Sequence, residues 1–442
     1  MKFLFVENRY KTYFWEALAQ HLVSAGHEVA WLVQNHAFMP AMGRVHVLPY
    51  PHRADFRPPD ESPDIAFIRS SDRSINFLGG NDRHYAYYQG LIDACLDAEQ
   101  PDVVLGEPTL FHELMAAAWC RRNRVRYLHP SMPGYPSGRF CIYDGDTKVP
   151  LGHSNDVPSD ADCIALAQAI RGRSAIPDYM KPPLLVQGPR VHPVHRSWKD
   201  VRNIFFAYVS GERYNTTPPW RRLWRPIGLA MRSRAWERLA AERASRRIER
   251  PVVLYPMQMQ PEANLDVWGN PHRDQTALIA QIADILPHGW NLLVKANPKT
   301  KYEMSGELID VVRARANVIP LPIRMPMGDV LPTARLVVTV TGTIAIETVL
   351  SGIPLAQLGP GVTEGLPGCE TIASVDALPS LLDCIASGRF RTATEPDCIA
   401  LVKKLYETSF PGRVSDPATL PDVTQEANVA QVVAELLKVV CP

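Results

Sequence analysis

Thr341-Gly342-Thr343 separates a run of buried-strand character at 336–340 from a run with helical spacing at 344–350. Such a turn sits at the carboxyl end of a strand and the amino end of a helix. Free N–H groups and the positive end of the helix dipole favour an anion there. Gly342 permits close backbone approach, and the hydroxyls of Thr341 and Thr343 can add hydrogen bonds. Glu347 falls about one turn into the helix, within reach of a ribose hydroxyl. A plain βαβ unit whose threonine caps a helix fits the same pattern. Two further segments end strands in this half of the chain, where open α/β sheets bind ligands. Gln260 and Glu262 offer acceptors for a base or ribose, although Glu262 also suits a helix start. Lys295, with Asn297 and Pro298 after it, offers a point charge or simply a solvated strand end.

The first half holds a different chemistry. Glu107 follows the apolar run 101–106 and precedes Pro108, so it stands at a strand end. A carboxylate there can serve as general base for an acceptor hydroxyl, or as a nucleophile. His112 and Glu113 follow at helix-start positions, where capping or packing suits His112 better than catalysis. Ser131, Tyr135 and Arg139 lie on the loop after the next strand. The planar fork of Arg139 suits a carboxylate, whether of a ligand or in an ion pair with Asp144 or Asp146. Double displacement needs a second carboxylate, for which Asp144 and Asp178 are both candidates.

These residues need a frame that repeats one theme twice. Strand-like runs at 2–7, 28–33, 44–49, 101–106 and 126–130 alternate with helical spacing at 13–24, 82–98 and 111–123. A second series begins at 251. Its helices fall near 275–286 and 303–316, before the strand–turn–helix–strand at 336–359. Such alternation predicts doubly wound parallel sheets of the α/β class. Between 134 and 219 the pattern weakens into long loops with a helix near 160–172. A chain of 442 residues exceeds one ordinary core. The expected domains are 1–235 and 250–415, with a helix in 416–442 packing back on the first.

Composition narrows the class. With 46% hydrophobic and 21% charged residues the protein is globular. A net charge of +1 gives no whole-chain field to attract nucleic acid. The eight cysteines are scattered, without CxxC or Cys/His ligand spacing, which points to a reducing compartment and away from structural zinc. The opening apolar run is cut by Glu7, Asn8 and Arg9, too early for a signal-peptide core, and no run approaches a membrane span. A cytoplasmic protein is expected. One region is strongly basic: in 220–250 arginines outnumber acids about three to one, with Trp220, Trp224 and Trp236 interleaved. It suits either contact with an anionic inner-membrane surface or an interdomain connector.

Several segments together carry a family likeness. LYPMQMQPEANLDVW at 254–268, LLVKANPKT at 292–300 and VTVTGTIAIETVLSGIPLAQLG at 338–359 resemble the capsular polysaccharide biosynthesis family. LGEPTLFHELMAAAW at 105–119 and YPSGRFCIYD at 135–144 have the same look. That family includes bacterial transferases of Kdo, an acidic sugar delivered as its CMP ester. The resemblance implies a GT-B fold, two Rossmann-like domains facing a central cleft. It implies transfer of Kdo from CMP-Kdo to a saccharide acceptor, oligosaccharide or lipid-linked. The nucleotide would lie on Gln260, Glu262, Lys295, Asn297, Pro298, Thr341, Gly342, Thr343 and Glu347. Glu107 with Asp144 or Asp178 would do the chemistry, and Ser131, Tyr135 and Arg139 would meet the sugar. No metal and no cofactor beyond the nucleotide-sugar donor is expected, because a helix terminus can neutralise the departing phosphate. One departure stands out: Lys295-Ala296-Asn297-Pro298 replaces the family's Lys-x-His-Pro, and asparagine cannot carry the charge of histidine. Other readings stay open. They are a transferase using another nucleotide sugar or a CDP-polyol, and a non-catalytic nucleotide-sugar-binding subunit of a polysaccharide assembly complex.

Overall fold

Short apolar, β-branched runs form the central strands, which are buried nearly end to end, as strands covered on both faces by helices must be, whereas the edge strands at 44–47 and 369–371 are largely uncovered. A computed structural model describes residues 1–178, 213–247 and 250–441, with 202, 205, 208 and 209 between them. Residues 248 and 249 of the basic stretch 220–250 lie outside the described residues. The chain forms two units, Met1–Asp156 with Pro177–Leu223 and Glu407–Pro442, and Val157–Ile176 with Trp224–Tyr406.

The first unit is built on β1 (Lys2–Val6), β2 (Glu28–Val33), β3 (Arg44–Val47), β4 (Val103–Leu105), β5 (Arg126–Ser131), β6 (Arg139–Asp144) and β7 (Pro150–Leu151). Their order is β6-β5-β4-β1-β2-β3, with β7 and Phe410–Pro411 both pairing to β6. The five strands from β3 to β5 are parallel, and β6 enters antiparallel. The reading of 134–219 as loop missed β6 because its hairpin joins an otherwise parallel sheet.

One face of this sheet is covered by two helices far apart in sequence. Thr12–Ser24 buries Phe14, Trp15, Leu18 and Leu22, and Glu426–Val440 buries Val429, Val432, Val433 and Leu436, all in one core with Phe3, Phe5 and Trp31. The return to the first unit starts at Glu407, before the expected 416. It begins there because Phe410–Pro411 must pair with β6.

The second unit holds β8 (Val252–Pro256), β9 (Asn291–Lys295), β10 (Val318–Leu321), β11 (Leu336–Thr339), β12 (Leu355–Gln357) and β13 (Cys369–Thr371), all parallel, in the order β10-β9-β8-β11-β12-β13. Written as 3-2-1-4-5-6, this is the Rossmann strand order. The first unit repeats it as 3-2-1-4-5. Two Rossmann-like domains of the α/β class are therefore present, as the alternation predicts. The helix Asp160–Arg171 belongs to the second unit, although 1–235 was expected to hold it. Arg171 donates to the Leu350 carbonyl, and the Arg173 guanidinium reaches Glu347 at 2.6 Å.

The Glu426–Val440 helix should be integral to the first core. Leu436 is fully buried, so Leu436→Ala is expected to cost about 2–5 kcal/mol in urea denaturation. A loss below about 1 kcal/mol would show that the helix merely leans on that core.

Candidate functional site

In both sheets the strand order reverses once, between β1 and β4 and between β8 and β11. Loops leaving the two strands at such a point run in opposite directions and open a crevice at their carboxyl ends. Some of the candidate residues lie at these two points, the Thr341–Thr343 turn at one and Glu107 at the other.

In the second unit, the loop after β8 is tied to the loop after β11. The Gln258 side-chain amide donates to the Thr341 carbonyl at 2.8 Å and to Thr341 Oγ1 at 3.0 Å. Thr341 Oγ1 in turn donates to the Asn264 carbonyl at 2.9 Å. Thr341 is thus buried and fully engaged, and its hydroxyl pins the turn instead of facing a ligand. Gly342 is exposed with φ +100°, and a Cβ there would sit 2.7 Å from Gln258 Nε2. The helix Thr343–Leu350 starts immediately after, with Gly342 as its N-cap and Ala345 N donating to the Gly342 carbonyl at 3.2 Å, so its positive dipole end lies at this turn.

The neighbouring loop is a closed polar network. Gln260 is buried and donates to Asp266 at 2.7 Å and to the Arg273 carbonyl at 3.1 Å, while its oxygen accepts from Gln275 at 3.0 Å. That leaves Gln260 shaping the loop, not reading a base. Glu262 precedes the short helix Ala263–Asp266 without a side-chain capping bond and accepts from Asn264 at 3.1 Å. Lys295 is neither a solvated strand end nor an open point charge. It is 3% exposed and donates to the carbonyls of Ala296 and Ile323, both at 2.8 Å. Burial pulls its ammonium down to about 8. Asn297 uses its side-chain oxygen to accept from Lys299 N at 2.8 Å, an Asx turn ahead of exposed Pro298. Glu347 is buried and paired with Arg173.

In the first unit, Glu107 lies just beyond β4 and is partly exposed, its side chain at 23%. It accepts from Lys11 and, at 3.3 Å, from Asn8 Nδ2. Lys11 is buried over the Trp15 ring, and its ammonium also reaches the Pro130 carbonyl at 3.4 Å. Lys11 therefore joins the ends of β4 and β5 to the start of the Thr12–Ser24 helix. Glu113 is fully buried and accepts from Thr109 N, Thr109 Oγ1, Leu110 N and Asn8 Nδ2, at 2.9, 2.9, 2.8 and 2.5 Å. Burial, then the nearby Glu107 carboxylate, push Glu113 up to about 8 against those donors. His112 is buried between the Glu7 carbonyl and Asn215, and burial pulls it down to about 4, so it is neutral at pH 7.

The other first-half candidates separate. Arg139 is 6% exposed and binds Ser409 through both Nε and Nη2, with Ser154 and Asp156 completing its shell. It clasps the returning C-terminal segment, and its ion-pair partner is Asp156, not Asp144 or Asp146. Asp146 pairs with Arg121 at 2.9 Å. Asp144 is exposed and stands opposite Leu128 in the β5–β6 register, whereas Glu107 lies two residues past the Leu105–Leu128 pair. The antiparallel turn of β6 therefore carries Asp144 back from the carboxyl edge. Asp178 is buried and accepts from Gly138 N at 2.7 Å, beside the start of β6. Tyr135 is buried ahead of a cis Pro136, and Ser131 is half-buried at the end of β5. Asp416 is the carboxylate that sequence reasoning missed. Burial raises it, and the charges of Glu107 and Lys11 both act on it. No local pattern announces it, because it arrives on the segment that returns to the first unit.

No family model matches the chain, and no curated protein matches it. Among solved structures it is similar to the beta Kdo 2,7 transferase KpsC of Thermosulfurimonas dismutans, at 9% identity and TM-score 0.38 over 99% of each chain. It is also similar to UDP-GlcNAc 2-epimerase from Neisseria meningitidis bound to UDP-GlcNAc, at 11% identity and TM-score 0.26 over 99% of this chain and 100% of that one. A third similarity is to CalG4, the calicheamicin glycosyltransferase, at 13% identity and TM-score 0.21 over 99% and 94%. Likeness at this level carries no functional argument, so the fold rests on the strand order and the site on its geometry.

Two outcomes test that geometry. Gly342→Ala forces a Cβ against Gln258 at a backbone angle that disfavours it, and should cost roughly 1–3 kcal/mol in chemical denaturation. A neutral substitution would show that the turn is loose. For Glu113, the folded carboxyl titrates near 8 and the unfolded one near 4.5, so the folded state holds the extra proton between them. Stability contributed by this group is present at low pH and falls as pH rises through that window. Between about pH 6.5 and 8, the wild type should lose up to about 1.4 kcal/mol per pH unit from this group, and Glu113→Gln should flatten the slope. Parallel stability curves for the two proteins would place the Glu113 titration elsewhere.

Proposed function

We propose that this chain is a glycosyltransferase taking its sugar from a nucleotide donor. The supporting observation is the pinned, exposed Gly342 turn at the β8–β11 reversal, opening onto the Thr343–Leu350 helix. A diphosphate or phosphate monoester fits such a turn, since the amides are preorganised and the helix dipole is aligned with the developing charge. The motif resemblance favours CMP-Kdo as donor and a surface-polysaccharide saccharide as acceptor.

In the first unit, Glu107 is suited to take a proton from an acceptor hydroxyl. Lys11 binds one of its oxygens and Asn8 the other, which fixes its direction. If transfer runs by double displacement, Asp416 is better placed than Asp144 to be the second carboxylate, because Glu107 acts on it and Asp144 stands back along the sheet. A second reading, a subunit that binds nucleotide sugar without transferring it, draws on Asn297, whose amide oxygen is already committed to a turn.

Calorimetry with CMP, CDP and UDP identifies the nucleotide. Thr343→Ala should weaken the preferred one by about 1–3 kcal/mol, the value of a charge-assisted hydrogen bond. Glu107→Gln should leave that affinity intact and cut transfer by at least about a hundredfold. Near-normal turnover of Glu107→Gln at saturating donor and acceptor would remove it from the chemistry. Donor that binds but is never consumed with any acceptor would favour the binding subunit.

A further inference from the structure

The helix Pro219–Glu242 has two apolar faces, and only one is used. Trp236 is fully buried, donates its indole N–H to the Leu321 carbonyl at 2.8 Å, and lies with Leu239 in the core of the second unit. Trp224, Ile227 and Met231 follow one another at intervals of three and four residues, and so share another face. At about 100° per residue that face is turned almost directly away from Trp236. The three side chains are 71%, 55% and 64% exposed.

A stripe of tryptophan, isoleucine and methionine in water is not a solvated face, and contiguous exposed apolar residues mark a contact surface. Arg234 and Arg238 continue the same row at helical spacing. With Ser233, Glu237, Ile323 and Arg324 they line an open recess of about 450 Å³. Glu237 accepts from Ile323 N at 2.9 Å. By contrast, Arg225 and Arg232, on the flank of the helix, are committed to Tyr302 and the Met304 carbonyl at 3.0 and 2.6 Å.

We propose that this face is a docking surface for an anionic lipid bilayer. The helix would lie in the plane of the interface, with Trp224, Ile227 and Met231 among the upper acyl chains and Arg234, Arg238 and Arg324 on lipid phosphates. Tryptophan prefers that depth, and arginine pairs with phosphate bidentately. No helix among the described residues is long and apolar enough to cross a membrane, so contact is along the surface. A second copy of the chain is a poorer occupant. A two-fold contact through this stripe would bring the arginines of both copies together if the helices ran parallel, and would leave them without an anionic partner if antiparallel.

The inference is independent of the donor and acceptor, so vesicle binding tests it whatever the enzymology shows. The full chain is sedimented with vesicles of phosphatidylglycerol and phosphatidylcholine, and with phosphatidylcholine alone, at low and high salt. Expected are binding to the mixed vesicles that salt weakens, and little binding to the neutral ones. Trp224→Glu with Ile227→Glu should reduce partitioning at least about tenfold with an unchanged circular dichroism spectrum. Arg234→Gln with Arg238→Gln, which spares the apolar row, should remove most of the preference for anionic lipid. Absence of wild-type binding, equal binding by the variants, or equal binding to neutral vesicles would each overturn the proposal. So would a dimer in light scattering that Trp224→Glu with Ile227→Glu dissociates, since the stripe would then cover a second copy.

Discussion

Reversal of strand order is the constraint from which both candidate sites follow. Where two adjacent parallel strands send their chains in opposite directions, backbone groups at the strand ends lose their next ladder partner. Buried and unpaired, each would cost about 1–3 kcal/mol. The chain answers with side chains reaching across the gap. Gln258 spans to Thr341 in the second unit, and Asn8 and Lys11 span to Glu113 and Glu107 in the first. The crevice is open because of topology, and rigid because of these clasps. A site made this way is preorganised before any ligand arrives.

The two reversals are dressed for opposite charges. At β8–β11 a helix begins at the exposed Gly342 turn, and the carboxylates nearby are already spoken for, Glu347 by Arg173 and Asp266 by Gln260. At β1–β4 carboxylates gather instead, with Lys11 buried among them. Burial, and after it that crowding, let Glu113 hold its proton near neutrality, while Glu107 keeps its ammonium partner.

Much of the frame is legible in the sequence because parallel strands are short apolar blocks and their helices carry the 3.6-residue period. Thr341-Gly342-Thr343 and Glu107 fall at strand ends as that pattern requires. What stays hidden is long-range satisfaction of polar groups. Lys295 reads as a surface lysine, yet two carbonyls from different segments bury it. Arg139 reads as a ligand contact, yet Ser409, 270 positions away, claims it. Arg173 and Asp416 carry no local signature, since each matters only through a partner that the fold brings from elsewhere. The antiparallel β6 likewise escapes a pattern tuned to βαβ repeats, and with it the true position of Asp144.

The interleaving of the two units has a consequence for how the protein is made. The apolar face of Thr12–Ser24 is covered by Val429, Val432 and Leu436, and β6 is completed by Phe410–Pro411. On the ribosome these arrive after the whole of the second unit. Phe14, Trp15, Leu18 and Leu22 therefore wait uncovered while the segment Trp224–Tyr406 is synthesised, long enough at typical elongation rates for the second unit to fold first. The order of completion runs opposite to the order of synthesis. The nascent chain consequently carries its greatest need for chaperone protection at the end that emerged earliest.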